Sequence, residues 1–275
     1  MDYDSLYRQI KEKKSFLCVG LDPDPALFPA VLRNAALPIY EFNKAIINNT
    51  ARYAVAYKPN LAFYEANGIK GMIQLDMTIK YIRDNFPKMF IIADAKRGDI
   101  CNTAFMYAKA YFETMDFDAI TVAPYMGADS VQPFLKYKDK WTIVLALTSN
   151  ASASDLEMCE VREKEGIPDM PIYERVIRNT IPLGNRNNLM FVIGATRPEK
   201  LREIRKYCPD NFLLVPGVGA QGGTIKDVAE NGLNDKCGLL VNSSRGIIYA
   251  DDSDLFGKAA GRKAKALAEQ MAEYL

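Results

Sequence analysis

The feature that most constrains this chain is a strict alternation between short apolar runs and segments of helical spacing. The runs are Phe16 to Leu21, Tyr53 to Pro59, residues 89–94, Ala119 to Ala123, Thr142 to Leu147, Met190 to Ile193, Phe212 to Val215 and Gly238 to Val241. Each is followed by turn residues and then by a helical stretch, which reads as one βα unit. About eight such units in 275 residues is the number that closes a (β/α)8 TIM barrel. A doubly wound open sheet uses the same alternation and is the alternative architecture.

The helical segments carry their own signals. Tyr3, Leu6 and Ile10 predict an amphipathic helix over residues 4–13 that covers one end of the core. Pro38 opens a helix bearing Ile39, Phe42 and Ile46, and further helices are expected around 71–85 and 101–114. Thr196-Arg197-Pro198-Glu199 has the form of a capping box, and Thr224 is placed to cap the helix after Gly222-Gly223. The long connection from Ser149 to about Asn187, with a short helix at Ile172 to Arg178, reads as a decorated loop after the fifth strand. No linker-like segment divides the chain, so residues 1–275 are expected to form a single domain.

Composition narrows the chemistry. Thirty-five basic and 34 acidic residues give a net charge of +1, which leaves no electrostatic footprint for nucleic acid and no polybasic membrane anchor. A small molecule is the expected partner. Five scattered cysteines without a C-x-x-C argue for a reducing compartment and against zinc. Met1-Asp2-Tyr3-Asp4 leads into Lys11-Glu12-Lys13-Lys14 without the apolar core of a signal peptide, so a soluble cytoplasmic protein is expected. The chain contains no histidine, which removes histidine-based triads, proton shuttles and metal sites. Acid–base work falls to Lys, Asp, Glu, Tyr or Cys.

In a barrel, functional groups sit at the C-terminal ends of the strands. Polar residues collect at those points here: Asp22; Lys58 and Asn60; Asp94, Lys96 and Asp99; Thr148 and Ser149. The seventh run leads into Pro216-Gly217-Val218-Gly219-Ala220-Gln221-Gly222-Gly223 and the eighth into Asn242-Ser243-Ser244-Arg245-Gly246. A glycine-rich loop lets backbone N–H groups approach an anion, and Arg245 offers a bidentate contact, so these two loops read as a phosphate site. Asp94 and Lys96 share a face if the third strand runs on to Lys96. The plain alternative is a surface ion pair at a strand end. With Lys58 ending the neighbouring run, Lys58, Asp94, Lys96 and Asp99 read instead as alternating charges lining a partly desolvated pocket.

Taken in order, these pieces resemble the orotidine 5′-phosphate decarboxylase family, in its longer bacterial-type branch, over essentially the full chain. The resemblance rests on Gly20-Leu21-Asp22, Tyr57-Lys58-Pro59-Asn60, Asp94-Ala95-Lys96-Arg97-Gly98-Asp99-Ile100 with Asn102-Thr103, Pro124-Tyr125-Met126-Gly127, Thr148-Ser149-Asn150, the Pro216 to Gly223 loop and Arg245. It implies decarboxylation of orotidine 5′-monophosphate to UMP without metal or other cofactor. It further implies that Lys96 donates the proton, that Asp94 lies beside the substrate carboxylate, and that Asp22 and Lys58 contact ribose hydroxyls. Ser149 would bond the pyrimidine, and Pro216, Gln221 and Arg245 would surround the phosphate. Asp99 and Thr103 would reach a neighbouring subunit's site, which implies a homodimer with shared sites. Two positions depart from the family pattern: Cys101 replaces a usual Gly or Pro, and Ser244 replaces a Gly that often precedes the arginine. The rival readings are a Mg²⁺-dependent decarboxylase of keto-sugar phosphates sharing D-x-K-x-x-D, and a catalytically silent phosphate-binding regulator.

Overall fold

Nearly every strand position is apolar because both faces are covered, the inner by side chains filling the barrel and the outer by helices. In a computed structural model describing residues 1–162, 169–219 and 222–275, the strands are β1 (Leu17–Leu21), β2 (Ala54–Pro59), β3 (Phe90–Arg97), β4 (Ala119–Val122), β5 (Trp141–Leu147), β6 (Glu160–Val161), β7 (Met170–Pro171), β8 (Leu189–Ile193), β9 (Phe212–Pro216) and β10 (Leu239–Ser243). Eight of them close a parallel barrel in the order β1, β10, β9, β8, β5, β4, β3, β2. The closing pair is β1 with β10, in the register Leu17 to Val241 and Val19 to Ser243. That seam excludes the open-sheet alternative.

The helices are α1 (Tyr3–Lys13), α2 (Pro38–Thr50), α3 (Leu61–Glu65), α4 (Gly68–Asn85), α5 (Cys101–Lys109), α6 (Gln132–Leu135), α7 (Ile172–Thr180), α8 (Pro198–Tyr207), α9 (Ile225–Gly232), α10 (Arg245–Ile248) and α11 (Phe256–Ala272). The decorated loop after β5 holds the antiparallel pair β6 and β7, and α7, whose Tyr173 and Ile177 are buried. Thr224 caps α9 as expected, its side chain accepting from Asp227 N–H at 3.0 Å. The capping box at Thr196 does not form. Helix α8 starts at Pro198 with Arg197 at the cap position and no side-chain cap, and Thr196 Oγ1 donates to the Ser149 carbonyl at 3.3 Å instead. The expected helix over 101–114 is α-helical only to Lys109. Residues Ala110–Thr114 then make one wider turn, closed by Met115 N–H on the Ala110 carbonyl five residues back.

The N-terminal end of the barrel is built for stability. Trp141 and Phe90 meet edge to face at 6.2 Å, Trp141 and Phe212 do so at 6.2 Å, and Tyr3 of α1 packs on Phe212 at 4.8 Å. Helix α1 thereby covers this end, and Trp141 Nε1 donates to the Met1 carbonyl at 2.7 Å. Nearby, Arg205 gives its guanidinium to backbone carbonyls: Asn211 at 2.7 Å, Gly232 at 2.7 Å, Cys208 at 3.0 Å and Gly238 at 3.0 Å. One side chain thus ties the ends of α8 and α9 to the starts of β9 and β10. Replacing Arg205 with Met strands these carbonyls, and a loss of about 3 kcal/mol is expected. Denaturant midpoints will measure that loss, while turnover by the folded variant stays at the wild-type level.

Candidate active site

The opposite end of the barrel collects charge. Lys58 sits near the end of β2 and Asp94 near the end of β3, and a bridge between Asn60 and Asp94 holds these strand ends together. Lys58 Nζ donates to Asp94 Oδ2 at 2.6 Å, and Lys96 Nζ donates to Asp94 Oδ1 at 2.5 Å. Thr121 of β4 adds a third donor, its hydroxyl on Asp94 Oδ1 at 3.1 Å, and Thr121 Oγ1 in turn accepts Lys96 N–H at 2.9 Å. Both carboxylate oxygens are therefore engaged, and Thr121 fixes the backbone of the residue whose side chain completes the group.

The two lysines differ in access. The Lys58 side chain is 6% exposed and that of Lys96 is 50% exposed, so Lys58 is a buried anchor and Lys96 presents its ammonium at the mouth. Strand β3 runs on to Arg97, but Lys96 adopts a left-handed backbone with φ 47°, and pairing with β4 shifts register between Ala93 and Arg97. A non-glycine residue in that region costs about 1–2 kcal/mol. The kink is held by Arg97, which donates to the Ala95 carbonyl at 3.0 Å and to Tyr111 Oη at 2.9 Å and pairs with Glu65. Tyr111 lies in the wide helical turn after α5, so that turn helps to secure the strand end.

Charge states follow from these surroundings. Burial opposes ionisation of both Asp94 and Lys58, but attraction overrides it. Lys58 and Lys96 hold the Asp94 carboxyl well below the usual carboxylate range, while Asp94 and then Asp22 raise the Lys58 ammonium above an ordinary lysine. Cys18, on β1 beneath them, is removed as an acid–base candidate because burial pushes its thiol up to about 12.

The remaining expected residues distribute around the mouth. Asp22 follows β1 and accepts the Ser244 hydroxyl on Oδ2 at 2.6 Å, while Tyr249 Oη donates to its backbone carbonyl at 2.9 Å. Ser149 follows β5 on a backbone that passes so close to Gly194 that a β-carbon there would lie 2.7 Å from Ser149 Cα. Pro216 ends β9, and Gly217, Gly219 and Gly222 take φ values of 100°, 85° and 93°, which glycine adopts without strain. Gln221 lies outside the described residues. Arg245 opens α10 with an exposed side chain and forms no ion pair among the described residues. Asp99 is not drawn into the Asp94 group. Its Oδ1 accepts the Ile100 N–H at 2.7 Å, and Thr103 is exposed on α5. Cys101 has φ 51°, a left-handed conformation that glycine adopts without strain and proline cannot adopt.

Two contributors were not singled out from the sequence. Thr121 is a polar residue inside a four-residue apolar strand, a signal that was available. Glu157 was not legible: it comes from the decorated loop and accepts Thr148 N–H at 2.7 Å and the Thr148 hydroxyl at 2.8 Å, fixing the residue before Ser149.

A parallel barrel with a solvent-reaching lysine clamped to a buried aspartate, opposite a glycine-rich loop, belongs among barrel enzymes that act through preorganised charge. Comparison with known proteins narrows the class. Residues 15–259 match the profile of the Orotidine 5′-phosphate decarboxylase / HUMPS family. The orotidine 5′-phosphate decarboxylases of Bacteroides fragilis and Flavobacterium johnsoniae are each 52% identical over 275 residues, covering 100% of this chain and 98% of theirs. The solved structure of Leishmania donovani OMP decarboxylase superposes with a TM-score of 0.81 at 36% identity, covering 100% of this chain and 99% of that one. The chain belongs to the orotidine 5′-phosphate decarboxylase family.

The Asp94 group makes stability depend on acid in a defined direction. A carboxyl held below its unfolded value of about 3.9 adds stability that is fully present above that pH and is lost as pH falls through the depressed folded value. Asp94→Asn should therefore be less stable than wild type at pH 7, and the gap should narrow only below about pH 4. Urea midpoints between pH 3 and 7 will show it. A gap independent of pH would contradict the assignment.

Proposed function

We infer that the protein decarboxylates orotidine 5′-phosphate to UMP and carbon dioxide, in pyrimidine nucleotide biosynthesis, with Lys96 as proton donor. The observation that carries the assignment of roles is the engagement of both Asp94 oxygens by lysine ammoniums, one buried and one at the mouth. When the bond from C6 to the carboxylate breaks, its electron pair stays on C6 and carbon dioxide leaves. The Lys96 ammonium faces that developing charge, stabilises it and transfers a proton to C6, and the neutral amine regains a proton from solvent. Asp94, beside the substrate carboxylate, disfavours the bound ground state relative to the transition state. Arg245, Pro216 and Gln221 hold the phosphate, Ser149 the pyrimidine, and Asp22 and Lys58 the ribose. Binding at the phosphate, far from C6, supports the chemistry by holding the base in place.

This reading gives a metal no part. Each Asp94 oxygen already accepts from a lysine ammonium. Among the described residues no helix is long and apolar enough to cross a membrane. The five cysteines are free thiols, which is in keeping with a reducing compartment.

The working unit of this reading is a homodimer. Ile100, Phe105 and Met106 are exposed on and beside α5, and Tyr125 and Met126 are exposed on the loop after β4, an unusual density of bare apolar side chains next to Asp99 and Thr103. A second subunit covers them and receives Asp99 and Thr103 into its own mouth.

EDTA-treated protein mixed with orotidine 5′-phosphate should show the ultraviolet change of conversion to UMP, and absence of turnover would sink the assignment. Lys96→Ala should lower kcat by at least about 10³-fold with the fold intact; substantial residual activity would remove Lys96 as the donor. Inactive Asp99→Ala and Lys96→Ala proteins, mixed under proven subunit exchange, should recover roughly a quarter of the wild-type sites, since each mixed dimer has one complete site. No recovery would refute an Asp99 that acts across the interface.

A further inference from the structure

The hydroxyl of Ser244, the residue before Arg245, is not spent on its own helix. It occupies the cap position of α10 but makes no side-chain cap; the N–H groups of Ile247 and Ile248 bond to its backbone carbonyl. The hydroxyl points across the β1–β10 seam and donates to Asp22 Oδ2 at 2.6 Å, a contact much shorter than its 3.5 Å approach to the Gly20 carbonyl. The space is provided by Gly20, where a β-carbon would lie 2.6 Å from Ser244 Cβ. The other carboxylate oxygen, Asp22 Oδ1, is buried and has no hydrogen-bond partner. An unsatisfied buried acceptor of this kind favours a ligand that brings a hydroxyl donor. The backbone at Asp22 is already fixed by Tyr249, so the remaining freedom is rotation of the carboxylate, and Ser244 removes it.

We propose that Ser244 is a positioning residue that orients the Asp22 carboxylate toward a sugar hydroxyl and thereby sets the preference for ribonucleotides over their deoxy counterparts. The proposal rests on the reading that Asp22 contacts the ribose. Because Ser244 directly precedes Arg245, it also joins the sugar end of the site to the phosphate end: a single backbone turn carries the phosphate-binding guanidinium and the group that aims the sugar-binding carboxylate. Charge assistance makes the Ser244 to Asp22 bond stronger than one between neutral groups.

The test measures dissociation constants of UMP, 2′-deoxyUMP and 3′-deoxyUMP for wild type, Ser244→Ala, Ser244→Gly and Asp22→Asn. These ligands differ by one hydroxyl, so the ratio of deoxy to ribo dissociation constants reports the sugar contact alone. A Ser244 that served only to shape the Arg245 turn would weaken all three ligands alike and leave the ratios unchanged. Both Ser244 variants are expected to reduce the ratio for at least one deoxy ligand by about 5–10-fold. The glycine variant, which cannot crowd Gly20, controls for packing. If Asp22→Asn collapses the ratio while both Ser244 variants keep the wild-type value, the proposal is overturned and the reading of Asp22 stands. If Asp22→Asn keeps the ratio, that reading fails and the proposal falls with it.

Discussion

The structure depends on a carboxylate that no longer belongs to water. Asp94 is held by a buried ammonium on one oxygen and by a second ammonium and a hydroxyl on the other. Lys58 and Asp94 taken separately into this buried environment would each carry a desolvation penalty of several kcal/mol, whereas Lys96 remains half in water. Held together they offset one another, and the arrangement keeps a surplus of one positive charge whose exposed member is Lys96. That surplus is the useful product of the site: under the proposed reaction it places a positive neighbour at the mouth of the barrel, where charge develops on the substrate.

Holding the group has consequences beyond it. Lys96 reaches Asp94 from a left-handed backbone, so β3 must break its regular pairing with β4, and the break must be secured from outside. Arg97 does this by gathering Glu65 from α3, the Ala95 carbonyl and Tyr111 from the wide turn after α5. The irregular helix, the irregular strand and the strained lysine are thus one feature seen in three elements. The other end of the barrel shows the converse: edge-to-face aromatics and an arginine spent on backbone carbonyls, with nothing left over for chemistry.

What could be read from the chain alone follows from what kind of physics each feature uses. Lys58 and Asp94 were legible because each ends a short apolar run, and a charge at that position in a barrel has one common meaning. The barrel was legible because continuous burial writes itself as continuous apolarity. Lys96 was legible as a residue but not as a geometry, since no local pattern announces a left-handed lysine. The capping box at Thr196 failed for a related reason: Pro198 suits the first helical position, which moves the cap to Arg197 and frees Thr196 to hold the loop at Ser149. Glu157 was invisible because its partner Thr148 is fixed through the tertiary path of a loop. The pairing of Ser244 with Asp22 spans 222 residues and exists only across the seam.

That seam has an implication for how the protein comes into being. Asp22 and Ser244 stand 222 residues apart in the chain, yet they must meet where β1 and β10 close the barrel. Contacts this distant in sequence form late and slowly. A barrel in which β10 has not yet joined β1 therefore has an open sheet edge and no fixed Asp22 carboxylate. The Asp22 carboxylate is set and Arg245 is brought to the mouth in one event, the closing of the barrel.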